Sequence, residues 1–282
     1  MKTVDKRQKF RAVLAGGRAV RAGSVWDPVS ARLADRLGIE VGLMGGSLGS
    51  FAVLGVPDVI VLTLSELADQ VRRACRASSV ALLVDADHGY GNSLNVMRTV
   101  EELEHAGVAA LTIEDTLLPR AFGAGDKPQL TPVAEGVAKM RAALAARRDP
   151  ALAIVGRTSA SQITDVDDAI QRLNAYEAAG VDALMIPGVK SRTELDRLSA
   201  GTKLPLVIGG GGPELSDIDY LASRRVRVFS AGHQAFAASV QAIHDALRAA
   251  QGAGAMPPLA GKELTDWVTQ AGDYELRARN FL

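Results

Sequence analysis

Val80-Ala81-Leu82-Leu83-Val84-Asp85-Ala86-Asp87-His88-Gly89-Tyr90-Gly91-Asn92 runs from an apolar stretch into acids and glycines, and residues 93–106 then place apolar side chains at helical spacing. The reading is a strand, a polar turn and a helix. The same unit recurs on both sides of it. Strands are predicted at 22–26, 41–44, 80–84, 110–114, 153–157, 183–187, 205–208 and 226–230. Helices are predicted at 28–37, 64–76, 93–106, 132–146, 166–179, 192–200, 214–222 and 234–249. Short uninterrupted apolar strands belong to a parallel sheet covered by helices, and eight βα units predict that the sheet closes into a (β/α)8 TIM-type barrel. A doubly wound open sheet is disfavoured, because its glycine fingerprint after the first strand is missing. Asp27 before Pro28 and Thr131 before Pro132 read as N-caps with proline at the first helical position.

The 282 residues fit one such barrel, so 1–282 is expected to be a single domain, with 251–282 a C-terminal helical extension for oligomer contacts. That extension starts at the flexible Gln251-Gly252-Ala253-Gly254-Ala255-Met256-Pro257-Pro258, and a further helix is predicted over 262–279. Such a helix either docks on a neighbouring subunit or packs on its own barrel. Thirty-two Lys plus Arg balance thirty-two Asp plus Glu, which leaves no net field to attract nucleic acid or an anionic membrane. No stretch approaches the ~18 to 20 apolar residues of a membrane span. A lone cysteine, Cys75, excludes an internal disulfide framework and points to a reducing, cytoplasmic setting. With aromatics at 4%, Ala, Val and Leu must fill the core.

Barrels of this type build their active sites on the loops at the C-terminal strand ends. Asp85, Asp87 and Glu114 put three carboxylates there from two adjacent strands, a crowding of like charge that a cation between them would relieve. Oxygen donors without His or Cys spacing favour Mg²⁺, or Mn²⁺, over zinc. Taken singly, strand-end acids also cap helices or pair with arginine. Arg157 has the planar fork to grip a substrate carboxylate, or else it forms a salt bridge to these acids. Gly45-Gly46-Ser47-Leu48-Gly49-Ser50 offers backbone N–H groups and the Ser47 hydroxyl to an anion, unless it is a plain glycine-rich turn. Gly209-Gly210-Gly211-Gly212 reads either as an anion grip before Pro213 or as a mobile loop. His233, after the eighth strand, can act as acid, base or hydrogen-bond donor, or serve as a structural cap. His88 lies beside the acids, whereas His105 and His244 fall inside helices.

The acidic motif 85–92, Ile113-Glu114-Asp115 and Gly156-Arg157-Thr158 together resemble the isocitrate lyase/phosphoenolpyruvate mutase superfamily over nearly the whole chain. Leu54-Gly55-Val56-Pro57-Asp58 and the helix start Leu64-Ser65-Glu66 fit the same pattern. The resemblance implies a barrel whose last helix is swapped between subunits, a homotetramer, and Mg²⁺ holding a 2-oxo acid by its keto oxygen and carboxylate. It implies that Asp85, Asp87 and Glu114 serve the metal, that Arg157 grips the substrate carboxylate, and that Gly46, Ser47 and Leu48 bind the substrate oxygens.

Departures from the superfamily discriminate further. Its carbon–carbon lyases carry a cysteine on the gating loop, where this chain has Phe122 within Arg120-Ala121-Phe122-Gly123-Ala124, and Phe122 cannot replace the Asn or Thr of the phosphonate enzymes either. Thr116-Leu117-Leu118-Pro119, Asn95-Val96-Met97-Arg98-Thr99-Val100, His88 and Gly232-His233 resemble the bacterial oxaloacetate decarboxylase branch. That branch has larger polar residues where 209–212 is all glycine here. The implied function is decarboxylation of a small 2-oxo diacid, oxaloacetate, to pyruvate and CO2 through a metal-stabilised enolate, with His233, Arg157 and Ser47 as catalytic residues. The alternatives are a lyase acting on another 2-oxo or 2-hydroxy diacid and a catalytically weak keto-acid-binding barrel.

Overall fold

Most strand residues in this chain are buried on both faces, as apolar runs without alternation require. The computed structural model describes residues 3–123, 127–210 and 212–281. Its strands are β1 (Val20–Arg21), β2 (Gly23–Ser24), β3 (Val41–Met44), β4 (Ala81–Asp85), β5 (Ala110–Glu114), β6 (Ala153–Arg157), β7 (Ala183–Pro187), β8 (Leu206–Gly209) and β9 (Val226–Ser230). Every pairing between them is parallel, in the order β1-β9-β8-β7-β6-β5-β4-β3-β2. β1 and β2 are one passage of chain parted by Ala22. Its first half pairs with β9 and its second half with β3, so a single segment joins the two ends of the sheet. Eight strand positions result, and the barrel expected from the sequence is observed. The first strand lies at 20–24 rather than 22–26, because each half is only two residues long and carries little signal.

Side-chain parity sorts the core into two layers. Val41, Leu43, Ala81, Leu83, Ala110, Ala153, Val155, Ala183, Met185, Val207 and Val228 form one buried cluster, which also takes in Phe10 and Leu14. Their alternates, among them Leu82, Val84, Leu111, Ile113, Ile154, Leu184, Ile186 and Ile208, pack in the other cluster with the helices. Alanine at four of the inner positions lets the small-residue composition fill a narrow interior.

The covering helices are α2 (Pro28–Arg36), α4 (Leu64–Ala77), α5 (Ser93–Ala106), α6 (Val133–Ala146), α8 (Val166–Ala179), α9 (Arg192–Ala200) and α10 (Ile218–Ser223). The short α3 (Gly46–Gly49) and α7 (Ala160–Ile163) follow β3 and β6. Asp27 closes a capping box with Ser30 ahead of Pro28, as expected. Thr131 does not cap α6. Pro132 occupies the cap position, and the Thr131 hydroxyl donates to the Asp115 carbonyl at 3.2 Å, so that motif ties a loop rather than a helix. The helix expected at 214–222 is divided into a 3₁₀ turn (Pro213–Leu215) and α10.

An N-terminal helix, α1 (Thr3–Ala15), was not anticipated and lies at the N-terminal ends of the strands. Its Lys6 ammonium donates to the Cys75 carbonyl. Arg7 donates to the Val108 and Glu104 carbonyls and to Asp149, and Arg11 to the Ala151, Pro150 and Leu152 carbonyls and to Asp182.

The chain divides into two compact units, Met1–Gly232 and His233–Leu282. The second carries α11 (Gln234–Ala250), α12 (Lys262–Thr269) and α13 (Ala271–Phe281). The helix expected over 262–279 is broken at Gln270, whose φ of 60° is left-handed. Among the described residues no helix is long and apolar enough to cross a membrane.

Candidate active site

Parallel register places the ends of β4, β5 and β6 side by side, with Asp85 paired to Thr112 and Glu114 to Arg157. Asp85, Glu114 and Arg157 therefore leave the sheet together at its C-terminal rim. Of the two readings open for Arg157, this structure contains the ion pairs: Nη1 contacts Asp85 Oδ2, and Nη2 lies 3.3 Å from Glu114 Oε2. Threonine hydroxyls fix the acids from behind. Thr112 donates to Asp85 Oδ1 at 2.8 Å and Thr116 to Glu114 Oε2 at 2.8 Å.

Asp87 reaches the same rim from the loop after β4. A Cβ added at Gly46 would collide with its Oδ1, so only glycine admits the Asp87 carboxylate against the first turn of α3. That contact brings the glycine-rich segment to the acids. Gly46 is buried and Ser47 half-buried there, while the Leu48 side chain is fully buried and its N–H donates to the Gly45 carbonyl at 3.0 Å.

Charge is unevenly settled in this group. Burial works against the Arg157 charge, but Asp85, Glu114 and Asp87 outweigh it and hold the guanidinium firmly ionised. Burial alone would raise Asp85, yet the Arg157 charge and the Thr112 hydrogen bond keep it below the usual carboxylate range. Asp87 is pushed well above that range by burial and by Asp85 and Glu114, and burial also raises Glu114. One guanidinium thus faces three buried acids, and Asp87 carries the deficit. Among the described residues no group of three or more His, Cys, Asp or Glu stands already arranged around a metal position.

A cavity of about 370 Å³ opens on these groups, lined by Asp87, Glu114 and Arg157 together with Asp58, Val59, Ile60, Leu118 and Arg120. Asp58 and Arg120 were not among the site residues read from the sequence. Both sit in loops, after α3 and after β5, and their signal is that charged residues in loops beyond barrel strands face the rim. Asp115, beside Glu114, turns away from the rim. Its Oδ2 accepts from Tyr176 Oη at 2.5 Å and from Arg172 at 3.2 Å in a buried structural network. His88 is buried, and burial and the nearby Lys139 hold its imidazole down at about 4, in the neutral form. Of the 209–212 run, Gly211 lies outside the described residues, and the Gly210 N–H donates to the Ser230 carbonyl at 2.8 Å. His233 is the first residue of the second unit and directly precedes α11.

Comparison with known proteins extends this geometry. The family described as phosphoenolpyruvate phosphomutase matches residues 10–251. A curated protein of Rhodopseudomonas palustris (strain BisB18) named oxaloacetate decarboxylase is 55% identical over 283 residues, covering 99% of this chain and 97% of that protein. A phosphoenolpyruvate phosphomutase from Streptomyces platensis subsp. rosaceus superposes with a TM-score of 0.87 at 28% identity, covering 98% of this chain and 99% of that one. A phosphonopyruvate hydrolase solved with oxalate and Mg²⁺ superposes with a TM-score of 0.84 at 29% identity, covering 99% and 98%.

Proposed function

We propose a reaction from one premise: the chain belongs to the phosphoenolpyruvate phosphomutase family. The protein decarboxylates oxaloacetate to pyruvate and CO2. The observation that carries this reading is the surplus of buried acid in the rim cavity, in a chain whose near-full-length relative bears that activity in its name. The alternative of a catalytically weak binding barrel is disfavoured on the same grounds.

The donor set fits a hard divalent cation, Mg²⁺ or Mn²⁺: Asp85, Asp87 and Glu114 would hold it, all through oxygen, and two of them are already oriented by threonine hydroxyls. When bound, the cation draws electrons toward the 2-oxo group of the substrate. Arg157, whose fork is held by Asp85 and Glu114 in this structure, would turn it to the carboxylate that the substrate retains once the cation engages those acids. As the C3–C4 bond breaks, its electron pair moves toward the 2-oxo oxygen. The Ser47 hydroxyl and the N–H groups of Gly46 and Ser47 meet that growing charge, with Leu48 as the packed floor of the turn. His233 delivers a proton to C3, directly or through water, which completes pyruvate. Arg120 gives a diacid a second cationic contact in the same cavity.

A homotetramer with exchanged C-terminal helices, in the cytoplasm, completes the proposal. What supports the oligomer is that α11 buries no residue and leaves Val240, Ile243 and Leu247 exposed. The deciding experiment measures pyruvate release from oxaloacetate with and without Mg²⁺, corrected for decarboxylation by the metal alone, in the wild type and in Asp85→Ala. Metal-dependent turnover that falls to background in the variant is the expected result. Background rates in the intact protein would overturn the substrate assignment and send the search to other 2-oxo and 2-hydroxy diacids.

A further inference from the structure

The loop that carries Asp87 is held in an unusual backbone conformation. Asp87 has φ 48°, Gly89 80°, Tyr90 61° and Gly91 147°, so two residues with side chains occupy the left-handed region within one short turn. Such a conformation persists only where its surroundings over-determine it. Here three consecutive carbonyls are each gripped by a different element. The Asp87 carbonyl accepts from the Glu114 N–H of β5 at 2.8 Å, the His88 carbonyl from Lys139 Nζ of α6 at 3.0 Å, and the Gly89 carbonyl from Thr99 Oγ1 of α5 at 3.1 Å.

The first grip is made by main chain and survives any substitution except proline at 114. The other two are made by side chains that are themselves buried, Lys139 at 2% exposure and Thr99 at 0%. An ammonium group is costly to bury, and this one spends its hydrogen bond on a main-chain carbonyl next to Asp87. Loss of these two grips frees the 88–91 turn to leave its left-handed conformation, and the φ of 48° that sets the Asp87 carboxylate against Gly46 loses its support.

We infer that Lys139 and Thr99 are positioning residues, which lock the 87–91 turn so that the Asp87 carboxylate faces the cavity in the geometry a divalent cation requires. Neither touches the cavity itself. The inference rests on the proposed metal-dependent reaction and adds two residues to its machinery.

The test is direct titration with Mn²⁺ alone, followed by its electron paramagnetic resonance signal, on the full chain freed of metal. Wild type, Lys139→Met, Thr99→Val and Thr99→Ser are compared, with thermal unfolding in EDTA to confirm that each is folded. Lys139→Met and Thr99→Val each weaken Mn²⁺ binding by about tenfold, as removal of groups that orient ligands does. Thr99→Ser keeps the hydroxyl and binds as wild type does. Folded Lys139→Met and Thr99→Val proteins with wild-type affinity would overturn the inference, and if Lys139→Met fails to fold, Thr99→Val, nearly isosteric, decides alone. A wild type that binds no Mn²⁺ is a different failure: the metal reading falls first, and this inference falls with it.

Discussion

The two ends of the barrel handle buried charge in opposite ways. On the floor, Arg7 and Arg11 of α1 spend their donors on strand-end carbonyls and on Asp149 and Asp182, and Arg147 adds a second contact to Asp182. Each of these three arginines reaches an acid there, and Glu104, Asp149 and Asp182 are all paired. At the rim, Arg157 faces Asp85, Asp87 and Glu114, and the imbalance falls on Asp87. The floor is arranged for stability, whereas the rim holds charge that stability alone would not retain. On the proposed function, fold and chemistry lie at opposite ends of one sheet.

If that separation is real, substitutions at the two ends will fail in different assays. After the loss of metal-dependent turnover in Asp85→Ala, the next largest effect is expected from His233→Gln, which slows pyruvate formation by roughly 10²-fold if the histidine transfers a proton. Steady-state kinetics with unchanged kcat would reduce it to a structural residue. Arg7→Met on the floor should cost about 2 kcal/mol in urea unfolding, because it removes a buried guanidinium's bonds to the Val108 and Glu104 carbonyls and to Asp149, while kcat/KM stays as in wild type. A kinetic defect in a folded Arg7→Met protein would break the separation.

The smallest effect separates the ends by pH. Asp149, held low chiefly by its hydrogen bond to Arg7, contributes stability that is present above its ordinary value of 3.8 and is lost as pH falls through its lowered folded value. Asp87 has the opposite sign: its contribution is present below 3.8 and is lost as pH rises through its raised folded value. In EDTA, Asp87→Asn should therefore be more stable than wild type at neutral pH, with the advantage vanishing as the solution is acidified toward 3.8. Denaturant titrations at several pH values would show it, and a gap that is constant with pH would remove Asp87 as its source.

Much of this architecture was legible from local pattern. The strands at 41–44, 110–114, 153–157, 183–187 and 226–230 have the expected bounds, because each is an apolar run that ends where the backbone meets a charged or small residue. The meeting of Asp85, Glu114 and Arg157 was equally legible, since parallel register carries strand ends to one rim. α1 escaped notice for a physical reason. Its hold on the barrel comes largely from Lys6, Arg7 and Arg11 bonding to carbonyls, and Phe10, Val13 and Leu14 mark only a short apolar face. Asp58 and Arg120 escaped because loops bring them to the cavity, and no periodicity reports where a loop ends up. Thr131 was misread because a threonine before a proline serves a loop tie as well as a helix cap.

The bonds of α1 also carry a schedule. Arg11 precedes its partner Asp182 by 171 residues, and Arg7 precedes Asp149 by 142. At about 5 to 20 residues per second, a ribosome makes Arg11 wait roughly 10 to 30 s before Asp182 exists. Throughout that interval Phe10 and Leu14 have no barrel to enter. The segment that seals the floor is thus among the first made and the last able to settle, and a nascent chain must keep it from other partners until about two thirds of the protein has been made.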